Sequence, residues 1–283
     1  MVVTEQDFDF VRLLVCDQAG IVLDAGKQYL VEARLGPLAK RHGLASITAL
    51  LDRVRGARDL ALRQEVVEAM TTNETTFFRD FEPFEALRKH VVPSLMAARA
   101  ATRELRFWYG ASSTGQEPYS VVMMLAEHFP ALASWNVQHV ATDINLDVLK
   151  RAREGRYTQS EINRGLPATY LVKYFEKQGL EWQLKPAVRE RVRFEPINLV
   201  KPWPPLGAFD VVMLRNVMIY FDVPSKREIL GRIRRVLRAD GYFFLGGAES
   251  PLGLDDHFHR MPYDRAGCYC LGEASGTAQR GAA

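Results

Sequence analysis

The chain has 283 residues, 47% of them hydrophobic and 25% charged, with a formal net charge of +3. Such a composition suits a globular protein whose core needs no disulfide or metal staple, and so small a net charge argues against wholesale nucleic-acid binding. The three cysteines, Cys16, Cys268 and Cys270, are too few and too odd in number for a disulfide framework and point to a reducing compartment.

The opening MVVTEQDFDF carries acidic residues and no basic stretch followed by an apolar run, so it is not read as a signal peptide. No stretch approaches the ~20 apolar residues that a membrane span needs. The expected location is the cytoplasm. Phe8, Val11 and Val15 recur at helical spacing until Gly20. Residues 29–42 predict a second helix despite Gly36-Pro37, with Gly43 ending it. Ile47, Leu50, Leu51 and Val54 mark a third helix, and Leu62, Val66 and Met70 a fourth. No strand is evident, so residues 1–75 read as an all-helical domain.

After residue 103 strands and helices alternate. Residues 105–109 (LRFWY) predict a strand and 117–129 a helix with Pro118 in its first turn. Residues 137–141 predict a second strand, and 145–154 a helix capped by Asn145 and closed by Gly155. Residues 191–198 and 209–214 predict the third and fourth strands. A helix over 225–238 is expected to open with a Ser225-x-x-Glu228 capping box, and Gly241 leads into a fifth strand over 242–245. This alternation builds a parallel sheet with helices on both faces. Between Pro167 and Arg191 the pattern breaks around Tyr170, Tyr174, Phe175 and Trp182, which predicts an inserted subdomain. Gly267-Cys-Tyr-Cys-Leu predicts a strand with both thiols on one face rather than a metal site, since no Cys/His set stands nearby at zinc spacing. The small, polar residues 273–283 read as a disordered tail.

Three loops of this alternation carry polar groups. The first is Gly110-Ala-Ser-Ser-Thr-Gly-Gln-Glu-Pro, where Gly110 and Gly115 would let a ligand approach the backbone. Its spacing is not G-x-G-x-x-G. The helix after it begins with Glu117, an anion that would repel a pyrophosphate and attract a sulfonium or amino group. That charge favours S-adenosylmethionine over a nicotinamide dinucleotide, although an ordinary polar turn would read the same. Asp143, at the tip of the second strand, stands where a ribose is held by its paired hydroxyls; precapping the next helix is the plainer role. Asn198, after the third strand, could pair with adenine. Arg215, Asn216 and Tyr220 follow the fourth strand, at the end of an open sheet where ligands bind.

Three segments then resemble signatures of the chemotaxis receptor methyltransferases, the CheR family. They are Thr71-Thr-Asn-Glu-Thr-Thr-Phe-Phe-Arg-Asp, Ala111-Ser-Ser-Thr-Gly-Gln-Glu-Pro-Tyr-Ser and Arg215-Asn-Val-Met-Ile-Tyr-Phe-Asp. The likeness spans roughly residues 5–271, and Leu237-Arg-Ala-Asp-Gly is similar to a turn frequent in class I methyltransferases. It implies a Rossmann-like α/β class I S-adenosylmethionine-dependent methyltransferase domain over 76–272. It further implies an N-terminal, receptor-facing helical domain and a small antiparallel β-subdomain inserted at about 168–192. By the same resemblance Asn73, Thr75, Arg79, Glu117, Asp143, Asn198, Leu199, Arg215 and Asn216 line the cofactor site, and Arg79 and Tyr220 lie beside the transferred methyl. Without it, residues 73–79 read as a linker.

The acceptor implied is a glutamate side chain on the cytoplasmic methylation helices of chemoreceptors, giving a methyl ester and S-adenosylhomocysteine. A glutamate of ordinary pKa ~4.3 is already ionised near pH 7, so no general base and no metal is expected. The enzyme's task is alignment of the carboxylate oxygen behind the methyl carbon at ~3–3.5 Å, and strong cationic stabilisation of the carboxylate would hold the ground state back. Arg79 or Tyr220 orients the acceptor in this reading. An alternative for Arg79 is a salt bridge to Asp80 or Glu82.

The helical domain has a basic stretch, Arg34, Lys40, Arg41, Arg53, Arg55, Arg58 and Arg63 against Asp52 and Asp59, that could steer glutamate-rich helices or be an ordinary solvated face. Family members that tether to a receptor's C-terminal pentapeptide carry a Gly-x-Gly-x-x-x-Gly loop in the β-subdomain. Here the matching stretch, Phe175-Glu-Lys-Gln-Gly-Leu-Glu-Trp-Gln, has only Gly179, so engagement without the tether is expected. The chain is expected to act as a monomer, to reach the membrane only through receptors, and to bind no nucleic acid, since the helical domain lacks interleaved aromatics. Methyl transfer to RNA or a small molecule, a non-catalytic S-adenosylmethionine-binding regulator and an NAD-dependent oxidoreductase are the competing readings.

Overall fold

A computed structural model of the chain describes residues 3–56 and 59–272; the tail expected over 273–283 lies outside the described residues. Helices α1 (Glu5–Ala19), α2 (Gln28–Arg41), α3 (Ile47–Arg55) and α4 (Leu60–Ala69) form the first unit. Polar side chains mark three of its helix starts. Thr4 accepts from the Asp7 amide, Ser46 from Ala49 and Asp59 from Leu62. Gly20, at φ 69°, closes α1. The apolar faces of the four helices converge on one core that includes Phe8, Val11, Val31, Leu35, Leu50 and Val66.

Next come α5 (Glu82–Ala86) and α6 (Val92–Ala98), joined by a π-helical turn, Leu87–Val91. Helical periodicity does not single out this segment, because Pro83 and Pro93 interrupt it. Pro83 falls in the first turn of α5, and Pro93 in the first turn of α6, where a missing N–H costs little.

The central sheet comprises β1 (Glu104–Gly110), β2 (Asn136–Asp143), β6 (Val192–Pro196), β7 (Phe209–Leu214), β8 (Leu237–Leu245), β9 (Phe258–Arg260) and β10 (Cys268–Leu271). Its order is β6-β2-β1-β7-β8-β10-β9. The pairs from β6 to β8 are parallel, and β10 runs antiparallel to both its neighbours. This is the Rossmann-like arrangement that the alternation predicts, with the strand order reversing between β1 and β7. Side chains alternate between two cores. Phe107, Tyr109, Val211 and Met213 enter one; Trp108, Val212, Leu214 and Phe243 enter the other, under α12 (Val223–Val236). The helices α7 (Gln116–His128) and α8 (Leu146–Glu154) follow β1 and β2. The two cysteines behave as expected of a strand, with Cys268 buried on one face of β10 and Tyr269 on the other.

The inserted subdomain is a three-stranded antiparallel sheet of order β3-β5-β4, from β3 (Arg156–Thr158), β4 (Phe175–Gln178) and β5 (Glu181–Leu184). With it go the short helices α9 (Gln159–Asn163), α10 (Ala168–Tyr174) and α11 (Pro186–Arg189). It reaches further upstream than 168–192, because β3 begins at Arg156. Three residues directly behind Gly155 are too few to show an alternation. The capping box expected at Ser225 also differs. Asp222 caps α12 by accepting from the Ser225 amide at 2.9 Å, so the helix starts at Val223, and Glu228 pairs with Arg232 instead.

His139, on β2, is stacked against Phe107 with ring centroids 5.0 Å apart, and its Nδ1 lies 2.9 Å from the Tyr109 hydroxyl. Burial pushes its pKa down to about 3. The folded state therefore stays neutral at His139 where the unfolded chain protonates near 6.5. Stability from this group is full above that pH and is lost as pH falls toward the folded value. Between pH 7 and 5.5 the wild type should lose about 1 kcal/mol more than His139→Gln in urea unfolding; parallel losses would show that the ring titrates in the fold as it does in the unfolded chain.

Candidate cofactor site

The cavity opens where the parallel strands end. The segments that follow β1, β2, β6 and β7 supply Ser112, Ser113, Ile144, Ile197, Asn198, Leu199, Arg215 and Asn216. The helical unit closes it with Ala19, Ile21 and residues 70–75. Of the residues expected at the site, Asn73, Thr75, Arg79, Glu117, Asp143, Asn198, Leu199, Arg215, Asn216 and Tyr220 all line this one cavity. Gly110 does not. It sits inside β1, where an added Cβ would lie 2.6 Å from Leu214 Cδ1. Packing between strands by itself requires a glycine there. Gly115 is needed for its left-handed φ of 89°, with Phe194, Tyr119 and Ala152 crowding its Cα.

Arg215 is deeply buried, its side chain 2% exposed. Nη1 donates to Glu117 Oε1 at 2.6 Å, and Nη2 donates to Asp80 Oδ2 and to the Arg79 carbonyl, each at 2.9 Å. One guanidinium thus joins the start of α7 to the loop that carries Arg79. Asp80 is taken by Arg215, so the alternative Arg79–Asp80 salt bridge does not form. Arg79 itself donates to the Glu74 carbonyl at 3.1 Å.

Asp143 is buried at the end of β2 and accepts from the Ser113 amide at 2.8 Å and the Asn145 amide at 3.0 Å. Burial raises its pKa, and the N–H groups of Asn145, Ser113 and Ile144 pull it back. It therefore holds the first loop and the start of α8 together, beyond any ligand. Asn198 lines the cavity, but its Nδ2 donates to the Gln18 carbonyl at 2.6 Å and its Oδ1 accepts from Val200. One of its two amide N–H donors is spent on the helical unit, and the amide keeps the second.

The backbone around the cavity is strained. Phe78, Asp80, Ala111, Ser113 and Asn216 all have φ between 48° and 59°, a region that costs non-glycine residues energy and that clusters at functional sites. The Ser112 hydroxyl is buried without a hydrogen-bond partner, in a residue that lines this cavity. An orphaned hydroxyl beside carboxylates and apolar Ile144, Ile197, Leu199 and Val217 fits a ligand with both an apolar body and polar groups. Among the described residues there is no cluster of His, Cys, Asp and Glu that could hold a metal.

Sequence reasoning misses Ser112, Ser113, Thr71 and Glu249. The two serines are legible as members of the first loop, but its glycines carry the stronger signal. Glu249 gives no signal, since its partners are backbone amides of a remote segment. The basic stretch of the helical unit is also smaller than its composition suggests. Arg34 is turned to Thr72 and the Met70 carbonyl, Arg41 to Glu65, Arg53 to Asp59 and Arg55 to Asp7 and Asp52.

Comparison with known proteins places matches on both units. Residues 73–266 match the family model for the CheR methyltransferase S-adenosylmethionine-binding domain, and residues 6–71 the model for the CheR methyltransferase all-α domain. The chain is 43% identical to chemotaxis protein methyltransferase 1 of Pseudomonas aeruginosa over 90% of its own length and 94% of the relative's. It is 41% identical to chemotaxis protein methyltransferase Cher2 of Pseudomonas putida over 90% and 94%. Against the chemotaxis protein methyltransferase of Vibrio parahaemolyticus the identity is 39% over 92% and 94%.

Replacing Arg215 with alanine removes one partner of a desolvated pair and leaves Glu117 without its cation. Such losses are about 3–5 kcal/mol. Urea unfolding of Arg215→Ala should show a destabilisation near the lower figure, because Glu117 keeps some solvent contact; a change below about 1 kcal/mol would place the pair among screened surface bridges.

Proposed function

The chain belongs to the CheR methyltransferase family and uses S-adenosylmethionine, and from that premise we propose that it esterifies glutamate side chains on the cytoplasmic methylation helices of methyl-accepting chemotaxis proteins. The products are a glutamate 5-O-methyl ester and S-adenosylhomocysteine. The observation that carries this reading is that Arg79 and Tyr220, far apart in the chain, line the same cavity as Glu117 and Asp143.

When bound, the cofactor supplies an electrophilic methyl on a positively charged sulfur. In this reading Asp143 faces the ribose hydroxyls, while Glu117 places a negative charge near the cationic end. Asn73, Thr75, Leu199 and Asn216 complete the walls, and Arg215 acts by holding Glu117 and the Arg79 loop. Ser112, whose hydroxyl lacks a protein partner, completes its hydrogen bonding on the cofactor. Arg79 reaches an acceptor carboxylate, and Tyr220 hydrogen-bonds it or packs beside the methyl. The acceptor is ionised at neutral pH, so the site needs alignment and dryness rather than a base. Among the described residues that line the cavity, the catalytic candidates are one guanidinium, Arg79, and one phenol, Tyr220.

Receptor engagement is proposed to be independent of a pentapeptide tether. The β4–β5 connection turns directly through Gly179, at φ 63°, and Leu180, so no longer loop stands at that edge. The helical unit, residues 1–75, is proposed to face the receptor and residues 76–272 to carry catalysis, in a monomeric, cytoplasmic enzyme that does not bind nucleic acid. None of the described helices is long and apolar enough to cross a membrane.

Incubation with labelled S-adenosylmethionine and receptor-containing membranes should yield counts that base releases as methanol. Base-stable counts would indicate nitrogen or nucleic-acid methylation and sink the glutamate reading. In that assay Arg79→Ala should lose roughly 1.5–3 kcal/mol of transition-state stabilisation, the scale of a charged hydrogen bond. Full activity of the variant would remove Arg79 from the mechanism. Titration of a receptor's C-terminal peptide into the protein should give no heat of binding; micromolar affinity would restore the tether.

A further inference from the structure

The segment that carries Arg215, Asn216 and Tyr220 has little regular structure to hold it. Strand β7 ends at Leu214, and a three-residue 3-10 turn, Met218–Tyr220, follows. Asn216 takes a left-handed φ of 59°, which points its amide away from the strand ladder. That amide donates to Glu249 Oε2 at 2.8 Å. The same oxygen accepts from the Gly246 amide at 2.7 Å, and Oε1 accepts from the Ile219 amide at 3.3 Å. Glu249 is buried, 8% exposed, and does not line the cavity. Gly246 lets it approach, since a Cβ there would lie 2.8 Å from Glu249 Oε2 and 2.6 Å from Asn216 Nδ2.

A carboxylate only accepts hydrogen bonds. Buried among three backbone donors, it satisfies amides that the loop's shape would otherwise leave unpaired. Two of the donors, Asn216 and Ile219, lie within Asn216–Tyr220 and the third, Gly246, directly follows β8, so one side chain ties the loop at two points to the end of the neighbouring strand.

We propose that Glu249 is a positioning residue of the methyl-transfer site, holding the Asn216–Tyr220 loop so that Asn216 and Tyr220 face the cavity. The inference rests on the roles given above to Tyr220 and the cavity, and acts through them. An amide at this position keeps one acceptor oxygen and turns an N–H group toward backbone donors, so Glu249→Gln distorts the loop without changing side-chain volume. Misplacement of that size costs about 10–100-fold in turnover.

The test is a double-mutant cycle of Glu249→Gln with Tyr220→Phe, measured as kcat on receptor membranes alongside urea midpoints. Glu249→Gln should lower kcat by about 10–100-fold with a midpoint close to wild type. The double variant should lose little more than the worse single variant, because both act on one unit. Turnover within about twofold of wild type, or losses that multiply, would overturn the proposal. If Glu249→Gln does not fold, Glu249→Asp, which keeps the charge but shortens the reach, is put through the same cycle with the same outcomes. Should the wild type be inactive on receptors, the glutamate reading fails alone. The loop is then read from S-adenosylhomocysteine affinity in calorimetry, expected about 10-fold weaker in Glu249→Gln because Asn216 and Val217 line the cavity; unchanged affinity would overturn the inference.

Discussion

The Arg215 guanidinium is the constraint on which the site depends. Burying a charge costs several kcal/mol unless its hydrogen bonds are met in good geometry. Arg215 meets that condition at both Nη atoms, though not at its buried Nε, and only if the N-terminus of α7, the loop of Arg79 and Asp80, and the end of β7 stand together. Each of the three comes from a different part of the chain. The pair thus acts as a registration device: a shift of the Arg79 loop or of α7 would leave a cation in an apolar setting, over the ring of Phe84. Its value lies in specifying geometry more than in net stability, as expected of buried ion pairs that fix a register.

Around that device the chain repeatedly uses a buried acceptor to hold strained backbone. Asp143 takes the amide of Ser113, whose φ is 49°, and Glu249 takes that of Asn216. A left-handed residue turns its N–H out of the sheet ladder, where it must find another acceptor or be left buried and unpaired. Carboxylates suit the position because each can accept several such donors. The strain has a use in methyl transfer, which rewards fixed placement more than acid–base chemistry. With the ionised carboxylate acceptor proposed above, the site has no proton to move and can spend its buried charges on holding loops.

Much of this architecture is legible in the amino-acid sequence. The alternation after residue 103 predicts the parallel strands because buried strands read as apolar runs between turn residues. Asn145 and Gly155 bound α8 as cap chemistry requires. Glu117, Asp143, Arg215 and Asn216 can be placed because open sheets bind ligands at strand ends. The illegible parts have physical reasons. β3 is too short to alternate, and the helix near residues 82–98 hides behind two prolines and a π turn. The role of Asn198 is hidden because its partner, the Gln18 carbonyl, belongs to a helix 180 residues away. Gly110 misleads because a glycine for ligand approach and one for strand packing look alike in sequence. Residues 73–79 carry no periodicity, and only the family resemblance marks them.

The two units keep separate apolar cores and meet at the cavity through apolar and polar contacts: Ile144 packs against the helical core, Gly20 lies close to Val200 and Phe221, and a set of hydrogen bonds joins them. Asn198 bonds the Gln18 carbonyl, Lys201 the Asp17 carbonyl, Asn145 the Glu68 carbonyl, and Ser113 the Asn73 carbonyl. Each such bond contributes only about 0.5–1.5 kcal/mol net, far less per contact than a packed apolar seam. Yet Ala19, Ile21 and Met70 through Thr75 form one wall of the cavity. The sheet unit by itself would therefore present a half-open crevice to water, with Asp143 and Glu117 solvated. Closing that crevice is the helical unit's structural contribution, whatever it also does toward a partner.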